Sequence, residues 1–507
     1  MLAPADVSAV SSRRRAPVAA SAVLILAALA ATSGCSWAPF QDFKSNTDTF
    51  AITANAFGEQ IGISSKASSS FLASGGKPGQ GYRFYELLDG SQDPSGSPRY
   101  TDAYCVITAD TLATGSHCVM PVSSAPLGSI QFVVGSIGTS HANCYALGYG
   151  RASSESNPSH GVWVFCGDNT SYILKIPAGA AKLDATWTTA DMTAVSGLRI
   201  ALAGFIARGT SQGGTVANPA PLAFGDPTDE AAFVYPFVDV QQDALQLDHA
   251  PAVGEGYGSQ VAVGVGESQS SDVVKLYAVG APGTGKIYAY RSAAGPISAA
   301  PDHVACITGA GLGSVMAFGD LDGDGIDDLV ATGIEAGAPT VRVYLGKDLP
   351  TTPLTTECAA SWPSATVGGQ AWAFTCSATQ GVDGCSTGEF GRSLAIGSLN
   401  GATVVGPGGT PLPLNDLAIS APGVSVNGMA GAGAVFLFTP STSGTAVLDV
   451  RYRGDVQAGA GYGQAIAIGK IGVRDTLAVA ARGDSAAYVD WCTNLPNTPQ
   501  TPRCRPQ

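Results

Sequence analysis

The chain has 507 residues, a net charge of −13, 65 Gly and 31 Pro. Charged residues make up 13% of it, against about 25% in typical domains. This composition is typical of an all-β extracellular domain with many turns. It argues against a nucleic-acid partner, because phosphate binding needs clustered Lys and Arg.

Residues 1–35 have the features of an export signal. A basic segment at Arg13–Arg15 precedes an apolar stretch at residues 18–31, which is too short for a membrane span of about 20 residues. The end of the signal, Thr32–Cys35, resembles that of bacterial lipoproteins, in which the cysteine is lipidated. The resemblance implies a lipid anchor at Cys35, at the outer membrane or cell surface. An ordinary secretory signal cleaved nearby is the alternative.

After a short tether at residues 36–49, strand-like runs recur seven times through residues 50–492. Each repeat has an aromatic or Leu residue near Gly, then alternating apolar residues, then a Gly-rich turn and a third apolar run. The repeats begin near Phe57, Phe132, Leu198, Tyr257, Leu312, Phe390 and Tyr462. Such self-similarity is typical of propellers and solenoids. A small antiparallel sheet cannot bury its faces alone, so we expect the units to stack radially into one closed domain.

An acidic loop lies in the fifth repeat, between residues 318 and 330. The candidate calcium ligands are the carboxylates of Asp320, Asp322, Asp324 and Asp328 and the carbonyl of Ile326. Calcium needs six to eight oxygen ligands, and alternate carboxylates on a turning loop can point inward together. Strand-like residues flank the loop, which favours a calcium loop between two strands over an EF-hand. The alternative is an acidic surface turn.

These motifs together resemble the FG-GAP repeat of the integrin alpha-subunit propeller. One of the clearest copies consists of Tyr257-Gly258, Leu276–Gly283 and Lys286–Tyr290. Its second run contains Gly-Ala-Pro. The resemblance implies a seven-bladed β-propeller that holds proteins or glycans on the face formed by interblade loops. Calcium would bind on the other face and stiffen a blade. Only the fifth repeat keeps the full ligand set.

Cysteines and histidines bear on the compartment and on metals. With Cys35 lipidated, ten cysteines are left, enough for five disulfides in an oxidising compartment. The candidate sequential pairs are Cys105 and Cys118, Cys144 and Cys166, Cys306 and Cys358, Cys376 and Cys385, and Cys492 and Cys504. Cys306 could instead pair with Cys376 or Cys385, and the last pair would clip the Pro-rich tail at residues 493–507. Cys-x-x-Cys is absent and the five His are scattered, so no zinc motif is present.

One run imitates a nucleotide-binding loop. Residues 280–286 have the glycine and lysine spacing of a P-loop, but Ile287 stands where Ser or Thr should bind magnesium. The following residues alternate like a strand, whereas a P-loop opens a helix. We therefore predict a β-hairpin at this position.

The sequence and its resemblances lead to a functional expectation. We expect a non-catalytic, calcium-binding propeller at the cell envelope, held to the membrane by its lipid anchor only, that recognises a protein or glycan in adhesion. The metalloprotease motif His-Glu-x-x-His does not occur. The alternatives are an enzyme acting on an extracellular polymer and a structural subunit of an envelope complex.

Overall fold

The computed structural model describes the strands between residues 49 and 202 and, with short gaps, residues 221–492. These residues contain β-strands, a 3₁₀ turn at Gly346–Asp348 and no α-helix, so the predicted all-β fold is confirmed. No described helix is long and apolar enough to cross a bilayer. The predicted signal, Cys35, the tether up to residue 48 and the tail after residue 492 lie outside the described residues.

The strands are numbered in chain order. The first half contains β1 (Thr49–Thr53), β2 (Gln60–Lys66), β3 (Ser69–Gly75), β4 (Tyr82–Leu87), β5 (Cys105–Ile107), β6 (Phe132–Ile137), β7 (His141–Arg151), β8 (His160–Cys166), β9 (Ser171–Ile176), β10 (Lys182–Leu183), β11 (Met192–Thr193), β12 (Arg199–Leu202), β13 (Leu222–Asp226), β14 (Ala231–Tyr235) and β15 (Leu245–Gln246).

The second half contains β16 (Gln260–Gln269), β17 (Asp272–Ala281), β18 (Lys286–Arg291), β19 (Asp302–Thr308), β20 (Met316–Gly319), β21 (Asp328–Glu335), β22 (Ala338–Tyr344), β23 (Thr366–Val367), β24 (Gln370–Ala371), β25 (Ala373–Thr375), β26 (Val382–Asp383), β27 (Leu394–Gly397), β28 (Thr403–Val405), β29 (Pro411–Pro413), β30 (Asp416–Ala421), β31 (Ser425–Val426), β32 (Ala434–Thr439), β33 (Val447–Arg451), β34 (Tyr462–Ile471), β35 (Arg474–Ala481) and β36 (Ala486–Cys492).

Most of these strands form antiparallel sheets of four or more strands, which we number along the chain. They are sheet 1 (β2-β3-β4-β5), sheet 2 (β6 to β11), sheet 3 (β12-β13-β14-β15), sheet 4 (β16-β17-β18-β19), sheet 5 (β20-β21-β22-β25), sheet 6 (β27-β30-β32-β33) and sheet 7 (β34-β35-β36-β1). Each contains the runs of one sequence repeat. Three two-stranded ladders, β23-β24, β26-β31 and β28-β29, lie in insertions.

Sheet 7 unites the two ends of the described chain. Its fourth strand is β1, which pairs antiparallel with β36 from Thr49 opposite Asp490 to Thr53 opposite Ala486. The repeats did not predict this pairing, because β1 precedes the first of them.

Neighbouring sheets bury their faces against each other. On β17, Tyr277 and Val279 pack toward sheet 3, whereas Leu276 and Ala278 pack toward sheet 5. The same alternation continues between sheets 5 and 6 and between sheets 6 and 7. An isolated sheet would expose both apolar faces to water. It would then lose the roughly 1.5–3 kcal/mol that burial of each Leu or Val contributes to folding.

The first strands of successive sheets also contact one another. Each first strand contacts the first strand of the next sheet, in the order β2, β6, β12, β16, β20, β27 and β34. The last of them, β34, also contacts β2.

Glycines with a left-handed backbone lie where neighbouring described sheets approach each other closely. Gly258, Gly313, Gly391 and Gly463, each near the start of a repeat, have φ values of 89°, 91°, 82° and 99°. A Cβ at Gly313 would lie 2.6 Å from the carbonyl oxygen of Lys286 in sheet 4. From the other side, a Cβ at Gly280 would lie 1.9 Å from the carbonyl oxygen of Gly313. The glycines of the two motifs thus pack on each other between sheets.

We predict that Gly313→Ala destabilises the protein much more than Gly337→Ala. Gly337 has a similar φ of 81°, but a Cβ added there would meet no atom within 4 Å, so it reports the backbone cost alone. That cost is about 1–2 kcal/mol. At Gly313 we expect roughly 1–3 kcal/mol more, because the carbonyl of Lys286 must move. Denaturant melts of both variants provide the measurement; equal losses would contradict the packing role.

Candidate functional site

The acidic loop joins two strands, as the sequence predicts. β20 ends at Gly319, which pairs with Asp328 at the start of β21, so the loop closes on a ladder pair. Gly323 and Gly325 have φ values of 77° and 97°, which allow the tight turn.

The carboxylates of the loop accept its own backbone N–H groups. Asp320 accepts from Gly323 at 2.7 Å and from Gly325 at 2.9 Å. Asp328 accepts from Leu321 at 2.8 Å and, across to the end of β22, from Gly346 at 2.9 Å. These bonds fix the loop before any cation binds.

Two further loop carboxylates follow the same pattern. Asp322 accepts the N–H of Asp324 at 3.1 Å, and Asp324 accepts that of Ile326 at 2.8 Å. Side-chain oxygens of Asp320, Asp322 and Asp328 lie within 4.8 Å of one another. Asp324 is not part of that group, so three of the four predicted carboxylates converge.

The converging carboxylates repel one another. Burial and the charge of Asp322 raise the pKa of Asp328 well above its ordinary value of 3.8. Burial raises the pKa of Asp324 as well; the N–H of Ile326 opposes this shift, and the charge of Asp322 adds to it. A divalent cation would relieve this repulsion. The hard oxygen donors and the strand-flanked loop fit calcium.

Lys347 lies over the loop and partly neutralises it. Its Nζ forms an ion pair with Asp322 and lies 3.6 Å from Asp324. Burial disfavours the charged lysine, but the hydrogen bond and charge of Asp322 outweigh this and raise the pKa of Lys347. Its side chain is 45% exposed, so it can swing away into solvent.

A related carboxylate occurs in sheet 6 without the rest of the loop. Asp416 is fully buried and accepts the N–H of Leu399 at 2.7 Å, as Asp328 does from Leu321. Asp416 pairs with Gly397 as Asp328 pairs with Gly319. In sheet 6 the aspartate at this position therefore stabilises the turn by accepting a backbone hydrogen bond.

A second group of polar residues, which the sequence did not predict, lies at the other end of sheet 4. We call it the His249 cluster; its members are His249, Glu255, Lys286, Tyr288 and Glu357. Glu255 Oε1 accepts the hydroxyl of Thr284 at 2.8 Å and that of Tyr288, and Lys286 Nζ lies 3.1 Å from it. Burial opposes ionisation of Glu255, but hydrogen bonds from Tyr288, Thr284, Lys286 and His249 lower its pKa to about 2.

The loop that carries Glu255 is fixed from sheet 3. The Glu230 carboxylate accepts N–H groups of Gly254 at 3.1 Å, Gly256 at 3.0 Å and Tyr257. This clamp places Glu255 in the interior with 1% of its side chain exposed. The only sequence signals for this cluster are the tyrosines of the repeat and Lys286, which the repeat pattern assigns to a hairpin.

The hairpin prediction itself is confirmed. Ala281 pairs with Lys286 across the turn between β17 and β18, so residues 280–286 do not open a helix.

Two of the predicted disulfides are present. Cys306 and Cys358 are bonded at 2.09 Å, and Cys376 and Cys385 at 2.00 Å. Cys144 and Cys166 lie opposite each other across β7 and β8. Cys118 and Cys504, the partners predicted for Cys105 and Cys492, lie outside the described residues.

Comparisons with protein-family models and with curated proteins found no match. The resemblance to FG-GAP repeats therefore rests on the motifs of the chain itself.

We predict that Lys347→Gln raises the affinity of the loop for calcium, because it removes a positive charge that competes for the carboxylates. The expected gain is about tenfold, or roughly 1.4 kcal/mol, for a charge near a partly exposed site. Calcium titration calorimetry measures it. Arg392→Gln, which removes an exposed charge beside sheet 6, should leave the affinity unchanged; a wild-type affinity in Lys347→Gln would contradict the competition.

Proposed function

We propose that the chain is a calcium-binding, non-catalytic recognition module of the cell envelope, built as a seven-bladed FG-GAP propeller. The observation that carries this proposal is the combination of seven stacked sheets with one strand-flanked aspartate loop.

Closure of the propeller is supported by the contacts between first strands. They run in order from β2 to β34 and return from β34 to β2. The pairing of β1 with β36 fits this reading, because a propeller closes when its first and last segments share one sheet. The glycines between sheets would then be the points where neighbouring blades meet.

Calcium at Asp320, Asp322 and Asp328 would serve the scaffold. The loop hydrogen-bonds to sheet 4, where the N–H of Val265 donates to Asp327 at 2.8 Å and the N–H of Asp327 donates to Val265 at 2.7 Å. A cation in the loop would therefore stiffen the junction between sheets 4 and 5. Asp324 and the carbonyl of Ile326 would complete the ligand set.

The cellular part of the proposal rests on the N-terminal segment. Lipidation at Cys35 would hold the propeller to the envelope, and the disulfides fit an oxidising compartment. The ligand would be a protein or a glycan held by loops on the face away from the calcium.

An enzyme acting on an extracellular polymer is the alternative, and the His249 cluster is the observation in its favour. Glu255 and Tyr288 could be read as an acid–base pair. Their pKa values argue against an acid–base pair. The pKa of Glu255 is about 2, whereas burial and the contact with Glu255 raise the pKa of Tyr288. General acid–base catalysts work best with pKa values near the operating pH.

We predict that the double variant Asp322→Asn and Asp324→Asn melts at a lower temperature than the wild type only in calcium. At a hundredfold excess over Kd, bound calcium stabilises the folded state by about 2.7 kcal/mol, which the variant forgoes. Thermal melts across a calcium titration measure this. Asp302→Asn, in an exposed position on β19, is the control and should follow the wild type. Identical melting of all three proteins would refute the calcium assignment.

We further predict that the purified chain retains a discrete envelope protein or glycan in calcium and releases it in chelator. The physical reason is that the ligand face depends on a rigid scaffold. A pull-down from solubilised envelope, identified by mass spectrometry, provides the measurement. The double variant is the control. A polymer that is shortened in contact with the protein would instead favour the enzyme.

A further inference from the structure

The imidazole of His249 is held in one orientation. Its ring lies between those of Tyr257, at a centroid distance of 4.3 Å, and Tyr288, at 4.2 Å. Its Nε2 lies 3.2 Å from Glu255 Oε2. Since the carboxylate can only accept, Nε2 carries the hydrogen, and in the neutral imidazole Nδ1 then presents its lone pair.

That lone pair faces Glu357. Among the described residues no group makes a hydrogen bond to Nδ1, which is buried. The His249 side chain is 1% exposed, and its Nδ1 lies 3.8 Å from Glu357 Oε2. This separation is too long for a hydrogen bond. A buried acceptor without a donor is unfavourable, so a ligand between the two atoms would stabilise the arrangement.

We propose that His249 Nδ1 and Glu357 Oε2 bind one divalent transition-metal ion such as zinc, with Glu255 orienting the imidazole. Zinc bonds to imidazole nitrogen and carboxylate oxygen are each about 2.0–2.2 Å long, so one ion can bridge atoms 3.8 Å apart. Ligating histidines almost always donate their other N–H to a carboxylate or carbonyl, the role that Glu255 fills here. Water would complete the coordination.

A disulfide holds the carboxylate ligand in place. Cys358 adjoins Glu357 and is bonded to Cys306 on β19, and it adopts a φ of 53°. Glu357 Oε1 lies 3.0 Å from the hydroxyl of Tyr288, which shares its one proton between Glu255 and Glu357, and 3.5 Å from Lys286. Oε2 is therefore the oxygen turned to His249. Its side chain is 38% exposed, which gives an ion a path in from solvent.

The proposed site is separate from the aspartate loop. Glu255 precedes β16, whereas the aspartate loop contacts Val265 toward the other end of that strand. The two sites also differ in chemistry, because imidazole suits zinc and all-oxygen sites suit calcium. The failure of one assignment would leave the other intact.

The test is zinc binding by the whole chain with the aspartate loop saturated by calcium. Equilibrium dialysis with metal analysis should find one zinc ion in the wild type that Glu357→Gln loses, or binds at least about tenfold more weakly. Glu267→Gln is the matched control, since Glu267 is 47% exposed and also lies near a cation, Arg291, at 3.7 Å. The control should bind as the wild type does. Equal binding by all three proteins, or none in the wild type, would overturn the proposal.

The orienting role of Glu255 has its own readout. In zinc-free protein labelled with ¹⁵N-histidine, the His249 resonances should show an unprotonated Nδ1 and a protonated Nε2, assigned by their loss in His249→Gln. Glu255→Gln should mix the two tautomers, whereas a merely structural loss would lower the melting temperature without changing them. A protonated Nδ1 in the wild type would overturn the site outright.

Discussion

The close approach of backbone at glycine is the constraint on which the rest of the described structure depends. Gly280 and Gly313 meet where a Cβ would have to lie 1.9 Å from a carbonyl oxygen. Because no side chain separates them, sheets 4 and 5 can bring their apolar faces together. The alternation of Leu276 and Tyr277 to opposite faces then fills both interfaces. The motif glycines therefore set the distance between neighbouring sheets, and the apolar residues stabilise the contact between them.

The aspartate loop and the His249 cluster lie toward opposite ends of sheet 4 and differ in their electrostatics. At the aspartate loop, backbone N–H groups already donate to the carboxylates, and what the loop lacks is positive charge, which Lys347 supplies in part. In the His249 cluster, positive charge and hydroxyl donors satisfy Glu255, and what is left over is the lone pair of Nδ1. The carboxylate oxygens of the aspartate loop suit a hard cation, whereas the imidazole nitrogen of His249 suits a softer one.

Local spacing carried the successful sequence predictions. The strands, the turn at residues 280–286 and the bond between Cys376 and Cys385 all join residues that are close together in the sequence. The pairing of β1 with β36 and the contact of His249 with Glu357 join segments with no common period. Scattered histidines gave no motif, because the fold rather than the chain brings their partners together. The spacing of the aspartates did not predict which carboxylates converge, because it included Asp324, which lies outside the group that the other three form in the folded loop.

The position of β1 also dictates an order of events. Synthesis delivers Thr49–Thr53 long before its described ladder partner, Ala486–Cys492. β1 can therefore pair only after the strands between these two segments have been synthesised, and domains with such long-range pairing fold slowly. During that interval β1 is an unpaired edge, which is a template for aggregation. Its length of five residues keeps that template short.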